Sequence, residues 1–445
     1  MALLTDRLTS SGAGSSRLRA RWLVTHGLVR LFARRWAASG DLQSMLISGD
    51  AAENPVAIFE RIRAAGALHR TRLGFITVDH AIAHRVLRSE DYRVLSLGAT
   101  LPLPLRQIER RTRSTALHPL RPPSLLATEP PDHTRYRALV SSVFTARAVA
   151  ALRAGVQQRA NELLDELAGR EVVDIVAGYC AQLPVAIISD ILGVPEADRA
   201  LILEFGELAA PSLDFGLAYP QFLSVENGLQ AFDDWLGRHL AGLRRTPGDD
   251  LMSQLVQASQ DGQRLSDDEL RATAGLVLAA GFETTVNLLG NGVRLLLDHP
   301  DQLARLRQAP QLWSNAVDEV LRLDSPVQVT ARIARTPTEL GGVPVPAGGL
   351  ISVVLAGANR DPTVFPDPHV FDVGRTNANK HLAFSAGRHF CLGAALARVE
   401  GEVGLRTLFE RYPALAAAGP GQRRPTRVLR GWASLPVALG PARLS

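Results

Sequence analysis

Cysteine and lysine are the scarcest functional residues in this chain. Only two cysteines, Cys180 and Cys391, occur among 445 residues, and neither has a CxxC partner or the spacing of a zinc site. A disulfide framework is therefore excluded, and a reducing cytoplasm is the expected location. Lys380 is the single lysine, so arginine carries almost all of the positive charge.

Three further signals are missing. No run of about 18 apolar residues occurs, which excludes a transmembrane segment, and no secretory pattern is present. A G-x-G-x-x-G turn is also absent, so no flavin- or nicotinamide-binding segment can be recognised. The pI of about 9.7 and the net charge of +5 come without a nucleic-acid motif. They favour solvated helix faces and one basic docking surface over nucleic-acid binding.

Most of the chain has helical periodicity, and no repeat or long linker divides it. The best helical segments are residues 146–167, 230–244, 267–297, 300–307, 312–323 and 393–412. The best strand segments are residues 73–78, 342–345, 350–355 and 433–439, and the Pro-rich residues 101–131 are predicted to form a long loop. The fold class is therefore mainly α with a small β region, in a single large domain.

The first 40 residues differ from the rest and form a predicted N-terminal extension to a domain at residues 41–445. Residues 9–16 are rich in Ser and Gly and are predicted to be disordered. Residues 17–35 are basic and amphipathic. That pattern is typical of a helix packed on the protein body or of an anchor lying on a membrane surface.

Cys391 has an unusual setting, between Gly387 and Gly393 at the start of an alanine-rich helix. The free amides and positive dipole end of that helix favour a thiolate. The sulfur can then be a nucleophile with His389 as its base, a redox switch or an axial metal ligand. The alternative is a small side chain buried at a helix start.

Three other patterns stand out on the residues alone. The stretch Ala280-Gly281-Phe282-Glu283-Thr284-Thr285 places a glycine, an acid and two alcohols inside an apolar helix, where polar groups need partners or a role. His133 and Arg137 share a helix face suited to holding an anion. Glu319 and Arg322 form an i,i+3 pair, and the same spacing recurs at three other places, so it means little alone.

The pattern Phe384-x-x-Gly387-x-x-x-Cys391-x-Gly393 resembles the haem-binding signature of cytochromes P450. The resemblance implies that the Cys391 thiolate ligates haem iron, that Phe384 packs against the loop, and that His389 reaches a haem propionate. Bacterial members usually have Gly directly after the phenylalanine, whereas this chain has Ser385 and Ala386. That difference is expected to alter the loop slightly.

The resemblance extends in order along residues 41–439. It implies an oxygen-binding kink in the central helix around Ala280 and Gly281, with Glu283 and Thr284 as the acid–alcohol pair that delivers protons. His133, Arg137 and Arg332 are implied to bind the propionates. Glu319, Arg322 and Arg375 are implied to fix the fold near the cysteine loop, a structural role.

The implied protein is a soluble bacterial P450 of the actinomycete or mycobacterial type, a monooxygenase of secondary metabolism. Haem b, O2, a ferredoxin and an NAD(P)H-dependent ferredoxin reductase are the implied cofactor and partners. The expected reaction is hydroxylation of a lipophilic polyketide, macrolide, terpenoid or fatty-acid-like substrate. The expected substrate-lining residues are Leu101, Leu103, Ala280, Val327, Val329 and Trp432. A haem-thiolate sensor or carrier without turnover is the alternative.

Overall fold

A computed structural model describes residues 12–49, 54–141, 144–257, 259–260 and 263–443. The helices in this part of the chain are α1 Gly12–Trp22, α2 Leu28–Ala38, α3 Leu42–Ser48, α4 Val56–Ala64, α5 His80–Arg88, α6 Leu103–Thr112, α7 Asp132–Ser141, α8 Ala146–Glu166, α9 Gln182–Leu192, α10 Arg199–Ala209, α11 Tyr219–Arg245, α12 Leu251–Gln257, α13 Asp267–Asp298, α14 Pro300–Gln308, α15 Trp313–Leu323, α16 Leu355–Ala358 and α17 Ala394–Arg411. The architecture is mainly helical, as predicted.

Short strands form several small sheets. The strands are β1 His69–Arg70, β2 Phe75–Thr77, β3 Tyr92–Val94, β4 Val172–Asp174, β5 Ser259–Gln260, β6 Gln263–Arg264, β7 Thr330–Ala334, β8 Thr338–Leu340, β9 Val343–Val345, β10 Leu350–Val353, β11 Ala416–Ala417, β12 Gln422–Arg423, β13 Trp432–Ser434 and β14 Pro436–Ala438. The largest sheet has the order β1-β2-β10-β7-β3. In its β7–β10 pair, Arg332 lies opposite Ile351.

The six predicted helical segments all correspond to helices, with α11 starting eleven residues earlier than its predicted segment. Two predictions near the N-terminus were wrong. The Pro-rich stretch contains α6, and residues 12–16 lie in α1, while residues 9–11 fall outside the described ranges. Between α1 and α2, residues Leu23–Gly27 form a π-helical turn. Both errors arose because tertiary packing stabilises helices that local composition disfavours.

The longest helix, α13, runs through the core. Ser266 caps it: its hydroxyl accepts a hydrogen bond from the Glu269 amide, and the Glu269 carboxylate accepts one from the Ser266 amide. This reciprocal cap satisfies two donors at the helix start. By length and composition α13 could cross a membrane, but 72% of its most apolar window is buried in the protein. The helices α7 and α8 are long and apolar enough to cross a membrane only if they are counted as one span across a 48° bend.

Close packing around α13 explains its interior glycines. A Cβ atom added to Gly281 would lie 2.9 Å from Cδ1 of Ile188 on α9, and one added to Gly292 would lie 2.6 Å from Cδ1 of Leu405 on α17. Helices can approach this closely only where a side chain is missing. The packing of α9 and α17 against α13 thus sets the distance between the central helix and the helix that follows Cys391.

A buried ionic cluster fixes the chain between α16 and the cysteine loop. Arg322 donates to Glu319 from Nε at 2.7 Å and from Nη2 at 2.8 Å, and Nε of Arg375 donates to the same carboxylate at 3.1 Å. Glu319 and Arg322 are both fully buried. The two guanidinium groups also donate to the backbone carbonyls of Asn359, Pro366, Asp367, Pro368 and Val370. The cluster therefore holds this segment without regular secondary structure.

The same i,i+3 spacing elsewhere makes much weaker pairs. Glu196 and Arg199 are 3.5 Å apart, with the Glu196 side chain 80% exposed. Glu90 does not pair with Arg93 but lies 3.3 Å from Arg388. Burial of the carboxylate, which the spacing does not report, distinguishes Glu319 from these surface glutamates.

The cysteine loop contains two residues with left-handed backbone conformations. Gly387 has φ 69°, and a Cβ atom there would lie 2.6 Å from the carbonyl oxygen of Leu87. Ser385 has φ 61°, a conformation in which glycine carries no steric penalty. Ser385, at the position where the P450 signature usually has glycine, therefore has a backbone conformation that glycine adopts without penalty.

We expect Gly387→Ala to destabilise the protein by at least about 3 kcal/mol, because it adds a clash to an unfavourable φ. The matched control is Gly342→Ala, since Gly342 has φ 78° with no atom within 4 Å of an added Cβ; it should lose only about 1–2 kcal/mol. Guanidinium unfolding followed by circular dichroism measures both. Equal losses would show that the contact with Leu87 is unimportant.

Removing the charge of Glu319 should show how much the buried ionic cluster contributes to the free energy of unfolding. We expect Glu319→Gln to lower the free energy of unfolding by about 3–5 kcal/mol, because two buried guanidinium groups lose their carboxylate. Glu196→Gln, at the exposed pair with the same spacing, should change it by less than about 0.5 kcal/mol. The same unfolding titration compares them, and a small effect at both sites would contradict the assignment.

Candidate functional site

Cys391 lies at the end of a tightly bonded loop. Its backbone N–H donates to the carbonyl of Phe384 at 2.9 Å, and α17 starts three residues later. Phe384 is buried, with its ring 4.8 Å from the Arg398 guanidinium carbon. The side chain of Cys391 is exposed, whereas Cys180 is fully buried. The loop therefore presents one sulfur to an open space.

The electrostatic setting of Cys391 differs from the prediction. Although the side chain is open on one side, the protein around it raises the pKa of the thiol above its ordinary value by desolvation. The Gly393 amide and the charges of Arg137 and Arg398 oppose this rise, but they do not outweigh it. The helix start alone therefore does not ionise the free thiol. A coordinated metal ion would do so.

A glycine beside Cys391 suggests a turn that only glycine can adopt, but the backbone of Gly393 does not require one. Its φ is −85° and its ψ is 12°, a conformation open to any residue. No atom lies within 4 Å of the position that a Cβ would take. The missing side chain therefore leaves the space beside Cys391 free, and the backbone does not require it.

Two histidines meet near the cysteine loop. The ring centroids of His133, on α7, and His389 are 4.3 Å apart. Their Nε2 atoms are both buried without a hydrogen-bond partner among the described residues. Desolvation and the charges nearby, those of His133 and Arg332 first, lower the pKa of His389 to about 3. Two buried ring nitrogens are thus left for a group that the protein itself does not supply.

Two arginines add positive charge to this place. Arg332, on β7, is 5% exposed, and its Nη1 donates to the carbonyl of Ala331 at 2.9 Å. Burial lowers the pKa of Arg332 to about 10. Burial also lowers the pKa of Arg137, while the Cys391 sulfur raises it, which places that guanidinium group within the field of the thiol. We call His133, Arg137, Arg332 and His389 the cationic cluster: its two guanidinium groups are charged, while its two imidazoles, whose pKa values are lowered by burial, are neutral near pH 7.

The nearest carboxylate, that of Glu129, is already engaged. It accepts hydrogen bonds from the Val94 amide at 2.6 Å, from Arg335 at 2.9 Å and from Arg388 at 3.2 Å, and it lies 4.0 Å from His389 Nε2. The cationic cluster therefore has an excess of positive charge over its single acidic neighbour. Buried cations of this kind are suited to bind an anion.

Cys391 and the cationic cluster together fit a prosthetic group that carries a metal ion and carboxylates. No group of three or more His, Cys, Asp or Glu side chains could hold a metal ion within the part of the chain that the structure covers. The sulfur can thus supply a single protein ligand to a metal that arrives in its own chelate. The orphaned nitrogens and arginines are the matching sites for its acidic groups.

The acid–alcohol pair lies on α13, which runs without interruption through residues 280–285. The Thr284 hydroxyl donates to the Ala280 carbonyl at 3.0 Å, and the Thr285 hydroxyl donates to the Gly281 carbonyl at 3.4 Å. The predicted kink is thus absent as a break in the helix, and the hydroxyls bond back to the preceding turn. Ala280 is exposed and Thr284 half-buried.

Glu283 is buried, and it faces a cation that sequence reasoning missed. Nη1 of Arg424 lies 3.3 Å from Glu283 Oε1, and Nη2 of Arg424 lies 3.9 Å from the exposed Glu207 of α10. Desolvation raises the pKa of Glu283 to about 7, although Arg424 opposes the rise. Glu283 is therefore a carboxyl group that can change protonation near neutral pH.

Arg424 is held by a short C-terminal hairpin. Its neighbours Arg423 and Arg430 both donate to Asp324, at 2.8 and 2.9 Å. Asp324 directly follows α15. The position of Arg424 thus depends on an ion-pair anchor at the end of the helix that carries Glu319, about 100 residues earlier in the chain.

A second buried carboxyl group was also missed. Glu400 of α17 is 1% exposed. Desolvation raises the pKa of Glu400 to about 8, opposed by a hydrogen bond with the hydroxyl of Thr285 on α13. Nothing in the local sequence distinguishes it from a surface glutamate, except the spacing that puts it on the same helix face as the buried Val403 and Gly404.

The predicted substrate-lining residues lie on several different elements. Leu103, on α6, is 71% exposed. The Trp432 ring lies 3.7 Å from the Arg423 guanidinium carbon and packs at Gly290, about 15 Å along α13 from Ala280. Val327 and Val329 pack against two different apolar clusters, and Leu101 is half-buried.

Comparisons with known proteins agree with the loop and the fold. The family model described as Cytochrome P450 matches residues 230–426. A Mycobacterium tuberculosis protein that carries the name cytochrome P450 140 is 60% identical over 430 residues, covering 96% of this chain and 98% of that protein. The 6-deoxyerythronolide B hydroxylase of Saccharopolyspora erythraea is 44% identical over 318 residues, covering 70% of this chain and 77% of that enzyme.

The fold is also similar to solved structures. The crystal structure of Mycobacterium smegmatis CYP164A2 superposes with a TM-score of 0.79 at 33% sequence identity, over 89% of this chain and 99% of that one. Sequence identity at this level over nearly the full length shows a shared family as well as a shared fold. The chain belongs to the cytochrome P450 family of haem-dependent monooxygenases.

Proposed function

We propose that residues 41–445 hold haem b through Cys391 and the cationic cluster and hydroxylate a lipophilic small molecule. Haem with a thiolate ligand supplies the activation of O2 for transfer of one oxygen atom. The observation that carries the proposal is the exposed Cys391 beside buried, unpartnered ring nitrogens of His133 and His389. An iron ion and two propionates would satisfy these groups together.

We propose a macrolide or polyketide as the substrate class. Homologues in the family act on macrolide and polyketide substrates, and the hydroxylase named above shares 44% identity with this chain. The exposed Ala280 on α13 adds a small apolar surface beside Thr284, which is compatible with a bulky, lipophilic molecule. Such a reaction belongs to secondary metabolism.

The electrons are proposed to come from a ferredoxin and an NAD(P)H-dependent ferredoxin reductase in the cytoplasm. Bacterial P450s generally use redox partners of this kind. No dinucleotide-binding turn occurs in the sequence. Arg388, close to the cysteine loop, has its side chain 20% exposed, so that part of its charge can face an acidic partner.

Glu283 and Arg424 are proposed to control the proton supply. Below a pH of about 7 the Glu283 carboxyl is protonated and can donate, whereas above that pH it is a carboxylate held at 3.3 Å by Arg424. Arg424 connects it to Glu207, which is 67% exposed and in contact with solvent. The Thr284 hydroxyl, one residue further along α13, is the group through which the proton would reach the open side of the helix.

Cys391→Ala should abolish the strongly red-shifted Soret band of the reduced, carbon-monoxide-treated protein, because no other sulfur can ligate the iron. Cys180→Ala is the matched control, since that thiol is fully buried, and it should retain the band. Absorption spectra of the two purified variants test the assignment. A normal band in Cys391→Ala would refute the proposed thiolate ligand.

The pH dependence of coupling should follow Glu283. We expect the product formed per electron pair to fall as the pH rises through about 7, because the group that donates becomes ionised. Arg424→Gln should move this fall to higher pH, because it removes the cation that lowers the pKa of Glu283, and Glu283→Gln should eliminate it. The product formed, the peroxide released and the NAD(P)H consumed are measured together from pH 6 to 9. This range extends about one pH unit below and two above the pKa of Glu283. An unchanged profile in Glu283→Gln would contradict the role.

A further inference from the structure

The exposed apolar side chains are concentrated on one part of the surface. Nine large hydrophobic residues are exposed among those described. Five of the nine belong to the N-terminal helices and to α6: Leu23, Leu31, Phe32, Leu103 and Ile108. Single exposed apolar residues are ordinary, whereas a concentration of this kind marks an interaction surface.

The same helices carry arginine without exposed acid. Residues 12–40 contain six arginines and no Asp or Glu. The α6 segment, residues 103–113, has four arginines and one acid, Glu109, which is fully buried and paired with Arg113 and Arg121. The exposed arginines next to the apolar side chains are Arg19, Arg34, Arg35, Arg110 and Arg111.

These helices form one surface because their inner sides are fastened together. Arg17 Nη2 donates to the Arg111 carbonyl at 2.7 Å, and Arg21 Nη1 donates to the Thr112 carbonyl at 3.2 Å. Toward the body, Trp22 Nε1 donates to the Leu217 carbonyl at 3.0 Å. We call the opposite, outward side, defined by the five apolar and five arginine residues above, the basic apolar face.

We propose that the basic apolar face binds the surface of an anionic phospholipid membrane. Guanidinium groups bind lipid phosphates through bidentate hydrogen bonds. Leucine, isoleucine and phenylalanine side chains between them can enter the boundary of the acyl chains, as in helices that lie in the membrane interface. Apolar residues alone would suit many partners, but the uniform positive charge selects a negatively charged one.

Charge argues against a second copy of this chain as the partner. Two basic apolar faces brought together would place arginines against arginines with no exposed acid on the three helices to pair with them. The face also lies beside Gly216 and Leu217, shortly before α11, whose carbonyls accept hydrogen bonds from Arg30 and Trp22. The inference goes beyond the oxygenation chemistry and does not depend on it.

The test is sedimentation of the haem-loaded protein with vesicles. The protein should co-sediment with vesicles that contain phosphatidylglycerol and should not co-sediment with vesicles of phosphatidylcholine alone. About 0.5 M salt should weaken the binding. Arg34→Gln with Arg35→Gln should lower the partition coefficient about twentyfold. Leu31→Ser with Phe32→Ser should lower it about tenfold. All four side chains are exposed, so neither variant should lose its haem spectrum.

Matched controls come from exposed residues elsewhere. Arg244→Gln with Arg245→Gln removes two adjacent exposed arginines at the far end of α11, and Val370→Ser removes a side chain that is 54% exposed. Both should bind vesicles as the parent does. Equal loss in controls and face variants would show nonspecific charge attraction and overturn the proposal. Unchanged vesicle binding of the face variants would also overturn the proposal. This holds even if the same substitutions disrupt a dimer or the contact with an electron donor.

Discussion

The buried carboxylate of Glu319 is the constraint on which the cysteine loop depends. It neutralises Arg322 and Arg375, and their remaining N–H groups bind carbonyls between residues 359 and 370. Asn359 in turn holds the start of the cysteine loop, because its side chain accepts a hydrogen bond from the Leu382 amide at 2.6 Å. Leu382 starts the loop in which the Cys391 amide bonds to Phe384. A single carboxylate thus fixes the chain on the approach to the sulfur.

Much of the site could be predicted from the sequence because its parts are local. The cysteine loop, the pair on α13 and the i,i+4 histidine and arginine on α7 each occupy a few consecutive residues, and order along the chain distinguished Glu319 from its surface counterparts. Arg424, Glu129 and Glu400 were missed because their roles come from contacts between distant segments. The surroundings of Trp432 depend on a distant contact in the same way, since its ring lies 3.7 Å from the Arg423 guanidinium carbon.

The site combines two regions of opposite electrostatic character. On the cysteine side, buried basic groups have lowered pKa values: about 10 for Arg332, which stays charged, and about 3 for His389, which is neutral. On α13 and α17, buried carboxyls have raised ones: about 7 for Glu283 and about 8 for Glu400. Desolvation is the first cause in every case, and it disfavours the charged form of each group. The site therefore has groups suited to bind an anion near Cys391, and carboxyl groups that can hold protons on α13 and α17.

The anchor of the C-terminal hairpin on Asp324 has a mechanical consequence. Helix α15 ends in the carboxylate that holds Arg423 and Arg430, and one turn earlier it carries Glu319 and Arg322. The chain that leads to Cys391 and the guanidinium beside Glu283 are thus both held from the end of α15. A substitution that tilted α15 would shift the approach to Cys391 and the Arg424 guanidinium together, so the distance between them would change less than either position.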